Sequence, residues 1–245
     1  MESQEVTVSP DLLEKLRRVG TCSATHTLVN LGIHTTFMIG VRPLALKPGQ
    51  TMVGRATTVR FLPLREDLAK TRYADRLEHP HFRALDAIEP GEVMVVDAGG
   101  SLEAGVGGDM YGTRIAYRGA AGWVVDGVLR DVGGIREIGL PVFTKGVHGA
   151  GIPRALMSVG WNEPIQCGGV TVVPGDILLG DENGVVVIPP HLVEEVVRVG
   201  LEHEEHEQFT KLRLQQGGSL AKYYPMDAEA LAEYAEWRKT HPVKG

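Results

Sequence analysis

The sequence has little of what marks several large classes of protein. Its two cysteines, Cys22 and Cys167, are widely separated and fit no metal-ligand spacing, so neither a disulfide framework nor a structural zinc site is indicated. No uncharged apolar run reaches the roughly 18 residues of a membrane span, and the first residues lack the apolar core of a signal peptide. We therefore expect a soluble protein with no membrane partner, located in the cytoplasm.

Positive charge is also in short supply. Lys and Arg number 25 against 31 Asp and Glu, which gives a formal net charge of −6, and there is no long cationic run. Because a nucleic-acid partner requires basic side chains that neutralise phosphates, we expect none. The 245 residues are 43% hydrophobic, which is typical of a globular protein. We expect one domain over residues 1–245, with a C-terminal helical extension over about 219–245.

Glycine, by contrast, is abundant at 31 residues and indicates many tight turns. Short apolar runs alternate with helix-length segments that end at Gly119 and Gly139, a pattern typical of an α/β core. The last apolar runs are separated by turn residues, which predicts antiparallel hairpins. The predicted helices span residues 10–19, 23–31, 81–88, 191–216 and 227–239, and the predicted strands 51–61, 93–96, 123–125, 142–143, 170–173, 177–179 and 185–188. Residues 63–90 are interpreted as a connecting excursion with one helix.

The segment from Gly105 to Tyr111 and the pair Arg130-Asp131 carry the clearest chemical signal. Gly107 and Gly108 allow the backbone to approach a ligand, and a helix that starts near Asp109 would offer the N–H groups of Met110 and Tyr111 to an anion. Arg130 suits a carboxylate, and Asp131, at a strand end, could hold Mg²⁺ or Mn²⁺. These residues predict a site for an anionic, metal-chelating small molecule. The alternative is a surface ion pair beside an ordinary capped loop.

The spacing Asp109, twenty residues, Arg130-Asp131 resembles the D-x20-R-D signature of the RraA-like family. That family includes regulator of ribonuclease activity A and the 4-hydroxy-4-methyl-2-oxoglutarate aldolases. The resemblance extends over roughly residues 9 to 217, and further stretches carry it: 95–100, 122–131, 139–143 and 175–189. It implies an α/β fold of the three-layer β/β/α swivelling type with mixed sheets and terminal helices. It also implies a homotrimer or homohexamer with active sites between subunits.

The chemistry that the resemblance implies is a divalent-metal-dependent lyase reaction on a small 2-oxo acid. Such a class II pyruvate aldolase or oxaloacetate decarboxylase forms a pyruvate enolate. In this chain Asp131 would bind Mg²⁺ or Mn²⁺, Arg130 would bind substrate and stabilise the enolate, and Asp109 would orient a water for proton transfer. Gly107, Gly108 and the amides of Met110 and Tyr111 would hold the substrate carboxylate.

Several alternatives stay open at this stage. A regulator that binds an RNA-degrading enzyme and a sugar-acid dehydratase on the same site are the alternative functions. Family aldolases also use a glutamate from a neighbouring subunit, and residues 202–207 contain the candidates, although a solvated helix face is favoured for this stretch. For Lys145 a surface position is favoured over a Schiff-base role, and for His148 a loop position over a ligand role.

Overall fold

The computed structural model describes residues 7–72 and 78–241 of the chain. Its strands are β1 (Arg42–Ala45), β2 (Met52–Pro63), β3 (Glu92–Gly105), β4 (Gly122–Leu129), β5 (Val142–Val147), β6 (Leu156–Trp161), β7 (Ile165–Cys167), β8 (Val170–Val172), β9 (Ile177–Asp181) and β10 (Gly184–Ile188). Its helices are α1 (Pro10–Leu16), α2 (Thr21–Asn30), α3 (Glu66–Arg72), α4 (Pro80–Ala87), α5 (Asp109–Tyr117), α6 (Val132–Ile138), α7 (Val193–Gln215), α8 (Leu220–Tyr223) and α9 (Ala228–Thr240). Among the described residues, 3-10 turns include Ile152–Arg154 and Pro190–Leu192.

The main sheet is mixed and nearly closed on itself. Its strand order is β1-β5-β4-β3-β2-β9-β10, and β6 also pairs with β2. Strands β2 to β5 run parallel, whereas β1, β6, β9 and β10 join antiparallel. The two ends of the sheet meet where the Arg42 guanidinium donates a 2.5 Å hydrogen bond to the Asn183 carbonyl. The predicted α/β class with mixed strands is therefore confirmed.

Three apolar clusters define the layers. One lies between β3–β5 and β9–β10, with Val95 and Phe143 facing Leu178 and Val187. A second lies between the other face of β3–β5 and helices α4–α6, around Trp123. These two clusters give the predicted β/β/α layering. A third cluster joins β9 and β10 to α1, α2 and α7, so helices cover the outside of both halves of the sheet.

Most predicted helices begin and end near the capping residues that the sequence indicated. The Ser9 hydroxyl accepts the Leu12 N–H and starts α1, as expected of an N-cap serine. The chain leaves α5 and α6 through Gly119 and Gly139, whose φ angles are +79° and +77°. A side chain rarely adopts this left-handed conformation, which explains glycine at both positions.

The strand prediction needs three corrections. The run 170–173 does not form a hairpin with 177–179, because β8 pairs with β7 whereas β9 pairs with β10 and β2. Three strands, β1, β6 and β7, were missed. The pairing partners of β1 and β6 are not their neighbours along the chain, and β7 is only three residues long. The predicted strand 93–96 is part of the longer β3, which continues through a glycine-rich segment that has no β propensity.

The polar stretch 202–207 is not the solvated helix face that its composition favours. The Glu204 carboxylate accepts hydrogen bonds from the Ser23 hydroxyl at 2.7 Å and the Gly20 N–H at 3.2 Å. Glu205 is buried and forms a 3.0 Å ion pair with Arg238 of α9. These side chains bind α2 and α9 to α7, because consecutive residues of a helix project about 100° apart and so face different neighbours.

Helices α8 and α9 pack on α7 through a small apolar cluster of their own. It contains Phe209, Tyr223, Ala230 and Tyr234, with Trp237 against it. Within the described residues, no helix combines the length and apolarity needed to cross a membrane.

Candidate functional site

The turns that follow β3 and β4 lie side by side at the same edge of the sheet. The Arg130 N–H donates to the Gly107 carbonyl at 3.0 Å, and the Val106 N–H donates to the Val128 carbonyl at 3.0 Å. Carboxyl ends of neighbouring parallel strands meet at one edge, which is where α/β proteins gather ligand-binding groups. This arrangement brings Asp109 and the Arg130-Asp131 pair, distant in sequence, to one place.

Glycine is required at two positions of the first turn. A Cβ atom at Gly107 would lie 2.7 Å from the Trp123 ring, closer than atoms can pack. A Cβ atom at Gly108 would overlap the Asp131 carboxylate. The absence of side chains therefore lets the backbone of this turn lie directly against Trp123 and Asp131.

A cavity of about 440 Å³ opens at this edge. This is the size of small-molecule sites in proteins. All seven residues predicted for the site line it: Gly107, Gly108, Asp109, Met110, Tyr111, Arg130 and Asp131. The other lining residues are His79, His81, Phe82, Gly105, Gly151, Ile152 and Pro153.

Arg130 and Asp131 form an adjacent, half-exposed ion pair. The Arg130 Nε lies 3.0 Å from Asp131 Oδ2, and the side chains are 47% and 43% exposed. Asp131 has φ +56° and ψ +44°, a left-handed conformation that costs energy for a residue with a side chain. Such strain persists where the surrounding structure imposes it. Asp131 stands at the start of α6, but its side chain accepts no hydrogen bond from the first turn of that helix. Its carboxylate is thereby left for contacts in the cavity.

Asp109 begins α5 and is held in place from two sides. Its Oδ1 accepts the Met110 N–H at 2.8 Å, and its carboxylate packs over the backbone of Gly134 in α6. The Tyr111 N–H donates to the Gly108 carbonyl at 3.1 Å. The two amides that the sequence nominated for an anion are therefore engaged within the turn.

The open amides lie two to three residues earlier in the chain. Within the described part of the chain, the N–H groups of Gly107, Gly108 and Asp109 donate no hydrogen bond. All three residues border the cavity. Successive backbone N–H groups of this kind form a concave site for an anion.

The residues at the cavity suit a weakly held hard cation and do not form a closed metal cage. Among the described residues, no group of three or more His, Cys, Asp and Glu side chains converges on one point. Asp131 offers a half-exposed carboxylate with water access. Mg²⁺ and Mn²⁺ favour oxygen ligands, and Mg²⁺ often takes one or two carboxylates and keeps several waters. The site fits a cation of this kind at Asp131.

One side of the cavity is an aromatic wall formed by His79, His81, Phe82 and Tyr111. The imidazole of His81 hydrogen-bonds Ser158 Oγ at 2.9 Å through Nδ1 and the Tyr111 hydroxyl at 3.2 Å through Nε2. Burial, with a smaller contribution from neighbouring His79, lowers the pKa of His81 to about 3. His81 is therefore uncharged at neutral pH.

Sequence reasoning missed this wall. Three of its residues lie in and just before α4, in the segment interpreted as a connecting excursion. The available signal was the run His79-Pro80-His81-Phe82, in which a proline at the first position of a helix is flanked by aromatic groups within one turn. Nothing in the spacing linked that run to Asp109 or Arg130.

The other residues weighed from the sequence lie away from the cavity. Lys145 forms a 2.5 Å ion pair with buried Asp126. The His148 Nδ1 accepts a 2.9 Å hydrogen bond from the Ala150 N–H in its own loop. Cys167 is buried, and burial together with Asp126 and Asp97 raises its thiol pKa well above the ordinary value, whereas Cys22 is exposed. Glu207 pairs with Lys211 of its own helix.

A family model described as "RraA-like: Aldolase/RraA" matches residues 11–187. The chain belongs to the RraA-like family. Streptomyces coelicolor RraAS2, "an unusual member of the RNase ES inhibitor RraA protein family", has a solved structure that is similar, with 32% identity and a TM-score of 0.76. That similarity covers 84% of this chain and 100% of the other.

Two curated relatives of this RraA-like chain are longer than the part they share with it. Protein DlpA of Legionella pneumophila is 28% identical over 86% of this chain and 33% of its own length. A Halalkalibacterium halodurans protein named "Putative 4-hydroxy-4-methyl-2-oxoglutarate aldolase" is 36% identical over 48% of this chain and 55% of its own. The match thus spans between a third and just over half of these relatives.

We predict that His81 contributes to loss of stability in acid. The unfolded chain protonates this histidine near the ordinary pKa of about 6.5, whereas the folded chain does so only near 3. Stability contributed by neutral His81 is therefore complete above about pH 6.5 and declines as the pH falls toward 3. Between these pH values, the free energy of unfolding measured with urea should depend on pH less steeply in His81→Asn than in the wild-type protein. The difference in slope should correspond to up to about one proton. An NMR titration of His81 with a midpoint near 6 would contradict the prediction.

Proposed function

We propose that this protein is a divalent-metal-dependent lyase that releases pyruvate from a 2-oxo acid by retro-aldol cleavage or decarboxylation. The observation that carries the proposal is the convergence of Arg130, Asp131, Asp109 and three open amides on one cavity. The family membership and the name of the Halalkalibacterium halodurans relative support a lyase of this kind.

The substrate carboxylate is assigned to the Arg130 side of the cavity. The guanidinium offers a planar pair of N–H donors that matches a carboxylate, which a lysine ammonium does not. The N–H groups of Gly107, Gly108 and Asp109 border the same cavity as further donors. These donors are fixed before the substrate arrives, so they can stabilise charge that develops in the transition state at little cost of reorganisation.

Asp131 is the residue that would hold Mg²⁺ or Mn²⁺. The cation would supply Lewis-acid stabilisation of the negative charge that develops on the 2-oxo group. Arg130 adds positive charge at the same place, because its Nε lies 3.0 Å from the Asp131 carboxylate.

Asp109 is assigned to proton transfer. In retro-aldol cleavage a base takes the proton of the 4-hydroxyl, the C3–C4 bond breaks, and an acid returns a proton to C3 of the enolate. The Asp109 carboxylate is oriented by the Met110 N–H and by packing on Gly134, so it can hold a water in a set position. Decarboxylation of oxaloacetate forms the same enolate and needs only the second proton transfer.

Assembly as a homotrimer or homohexamer is part of the proposal. Met110 lines the cavity yet is 71% exposed, so an apolar side chain at its mouth faces solvent in a single chain. A neighbouring subunit would cover it, and could contribute an acidic group to the site. Within the chain, Glu204, Glu205 and Glu207 are already engaged with other residues, whereas Glu202 is exposed.

A second candidate function is regulation of an RNA-degrading enzyme. The observation in its favour is the similarity to Streptomyces coelicolor RraAS2, which covers that whole chain. Such a regulator acts through a contact surface and does not need Arg130 or Asp131. Inhibition of an RNA-degrading enzyme that survives loss of both side chains, in a protein without lyase activity, would favour this function.

The first test is pyruvate release from oxaloacetate by the purified protein. We expect turnover that depends on added Mg²⁺ or Mn²⁺ and is abolished by EDTA, with recovery when the cation is restored. Spontaneous decarboxylation with the same cation and no protein is the control. Undiminished turnover in EDTA would contradict the metal-dependent reaction, and a borohydride-trapped pyruvyl adduct on Lys145 would replace it with Schiff-base chemistry.

A glycine pair provides a matched test of the site geometry. In Gly108→Ala the added methyl group overlaps the Asp131 carboxylate, whereas the new Cβ at Gly133 meets no described residue within 4 Å beyond its chain neighbours and the backbone of its own helix. We expect Gly108→Ala to lose at least about tenfold in kcat/KM through misplacement of Asp131. Gly133→Ala should retain wild-type kinetics. Equal kinetics for the two variants would mean that the position of Asp131 does not matter.

Arg130→Lys tests the role of the guanidinium. The charge remains, but the planar fork is lost, so one charge-assisted hydrogen bond worth roughly 1.5 to 3 kcal/mol disappears. We expect kcat/KM to fall by at least about tenfold, with little change in the metal concentration needed for half-maximal activity. Wild-type rates on every accepted substrate would show that Arg130 has a structural role only.

A further inference from the structure

We propose that the preferred substrate carries one carboxylate and, at its other end, an uncharged aromatic or branched apolar group that packs against the aromatic wall. This inference rests on the proposed function and names its substrate class. It sets this chain apart from a lyase for dicarboxylic 2-oxo acids such as oxaloacetate, which should be turned over slowly.

The charges around the cavity are concentrated at one side. Of the described residues that line it, Arg130 is the one permanent cation, and Asp109 and Asp131 are anions. The open amides lie at the same side, since the Arg130 N–H is bonded to the Gly107 carbonyl. A cation at Asp131 would also lie beside Arg130. A substrate with one carboxylate is satisfied there, and a second carboxylate would have to face the aromatic wall.

The aromatic wall has little to offer a second carboxylate. His81 is 6% exposed, and both of its ring nitrogens are already bonded, to Ser158 and to Tyr111. The low pKa of His81, caused chiefly by burial, keeps the ring uncharged at neutral pH. A carboxylate placed against this surface would lose hydration without gaining a cationic partner, which is costly.

The same wall suits an aromatic or branched apolar group. The Phe82 ring centroid lies 4.3 Å from that of His81 and 5.8 Å from that of Tyr111, an arrangement of rings that can accept one more. Ile152 and Pro153 continue the apolar lining. The Tyr111 hydroxyl, which is bonded to His81, is a polar point within it.

A compound with these features is 4-hydroxy-4-phenyl-2-oxobutanoate. Loss of the 4-hydroxyl proton to a base and cleavage of the C3–C4 bond give benzaldehyde and the enolate of pyruvate. Protonation of the enolate at C3 completes the reaction, so all atoms are accounted for in benzaldehyde and pyruvate. No oxidant, reductant or second substrate is required.

The test compares this compound with 4-hydroxy-2-oxoglutarate, which has a carboxylate in place of the phenyl group. Pyruvate release is measured at about pH 8, where an ordinary imidazole is neutral, with Mg²⁺ or Mn²⁺ present. Burial of a phenyl group is worth roughly 1.5 to 3 kcal/mol, so we expect kcat/KM to be at least about tenfold higher for the phenyl compound. An equal or reversed preference would overturn the inference while leaving the proposed lyase intact. If none of the three compounds, including oxaloacetate, released pyruvate, both this inference and the proposed lyase function would be overturned.

A charge placed on the wall should change the preference. Phe82→Lys supplies the missing cation, and we expect the ratio of the two kcat/KM values to shift at least about tenfold toward 4-hydroxy-2-oxoglutarate. Tyr117→Lys adds the same charge to an 82% exposed position of α5 outside the cavity and should leave the ratio unchanged. A folded Phe82→Lys protein with the wild-type ratio would contradict the inference.

Inhibition of the wild-type protein gives a measurement that needs no variant. Phenylpyruvate and 2-oxoglutarate both carry the 2-oxo acid group and differ in the group that would meet the wall. We expect phenylpyruvate to inhibit oxaloacetate turnover competitively, with an inhibition constant at least about tenfold lower than that of 2-oxoglutarate. Tighter inhibition by 2-oxoglutarate would overturn the inference.

Discussion

The close approach of the turns after β3 and β4 is the constraint on which the candidate site depends. The backbone at Gly107 and Gly108 lies directly against Trp123 and the Asp131 carboxylate, which leaves no room for side chains. This contact fixes Arg130 by a hydrogen bond to Gly107, and it leaves three amides without an acceptor among the described residues that border the cavity. It also explains why a strained left-handed residue persists at position 131, since packing and backbone bonds on both sides determine its conformation.

Two different parts of the chain supply the two sides of the cavity. The ends of parallel strands β3 and β4 provide the charged side, as the geometry of α/β sheets favours. Helix α4 lies in the connection between β2 and β3, and it provides most of the aromatic wall. Changes in α4 can therefore alter the group that packs on the wall without moving Arg130 or Asp131. This separation allows reaction chemistry and substrate preference to be tested independently.

Much of the charged side could be predicted because its residues lie in turns with a recognisable local sequence. Arg130-Asp131 comes after an apolar run and Asp109 after a glycine-rich turn, and the parallel strands β3 and β4 bring the two positions together. The choice of amides was less accurate. An aspartate at the first helical position can accept the next N–H itself, as Asp109 does from Met110, and this shifts the open donors back to Gly107, Gly108 and Asp109.

The sequence alone determined the α/β class, the helix starts and stops, and the family, because these depend on local periodicity, capping and a spaced motif. Only the tertiary structure decided that His81 and Phe82 line the same cavity as Arg130, and that Glu204 binds α2. Short strands such as β1 and β6 likewise pair with partners far along the chain. The physical reason is that periodicity reports which face of an element is buried, whereas the partner of that face is set by packing between distant segments.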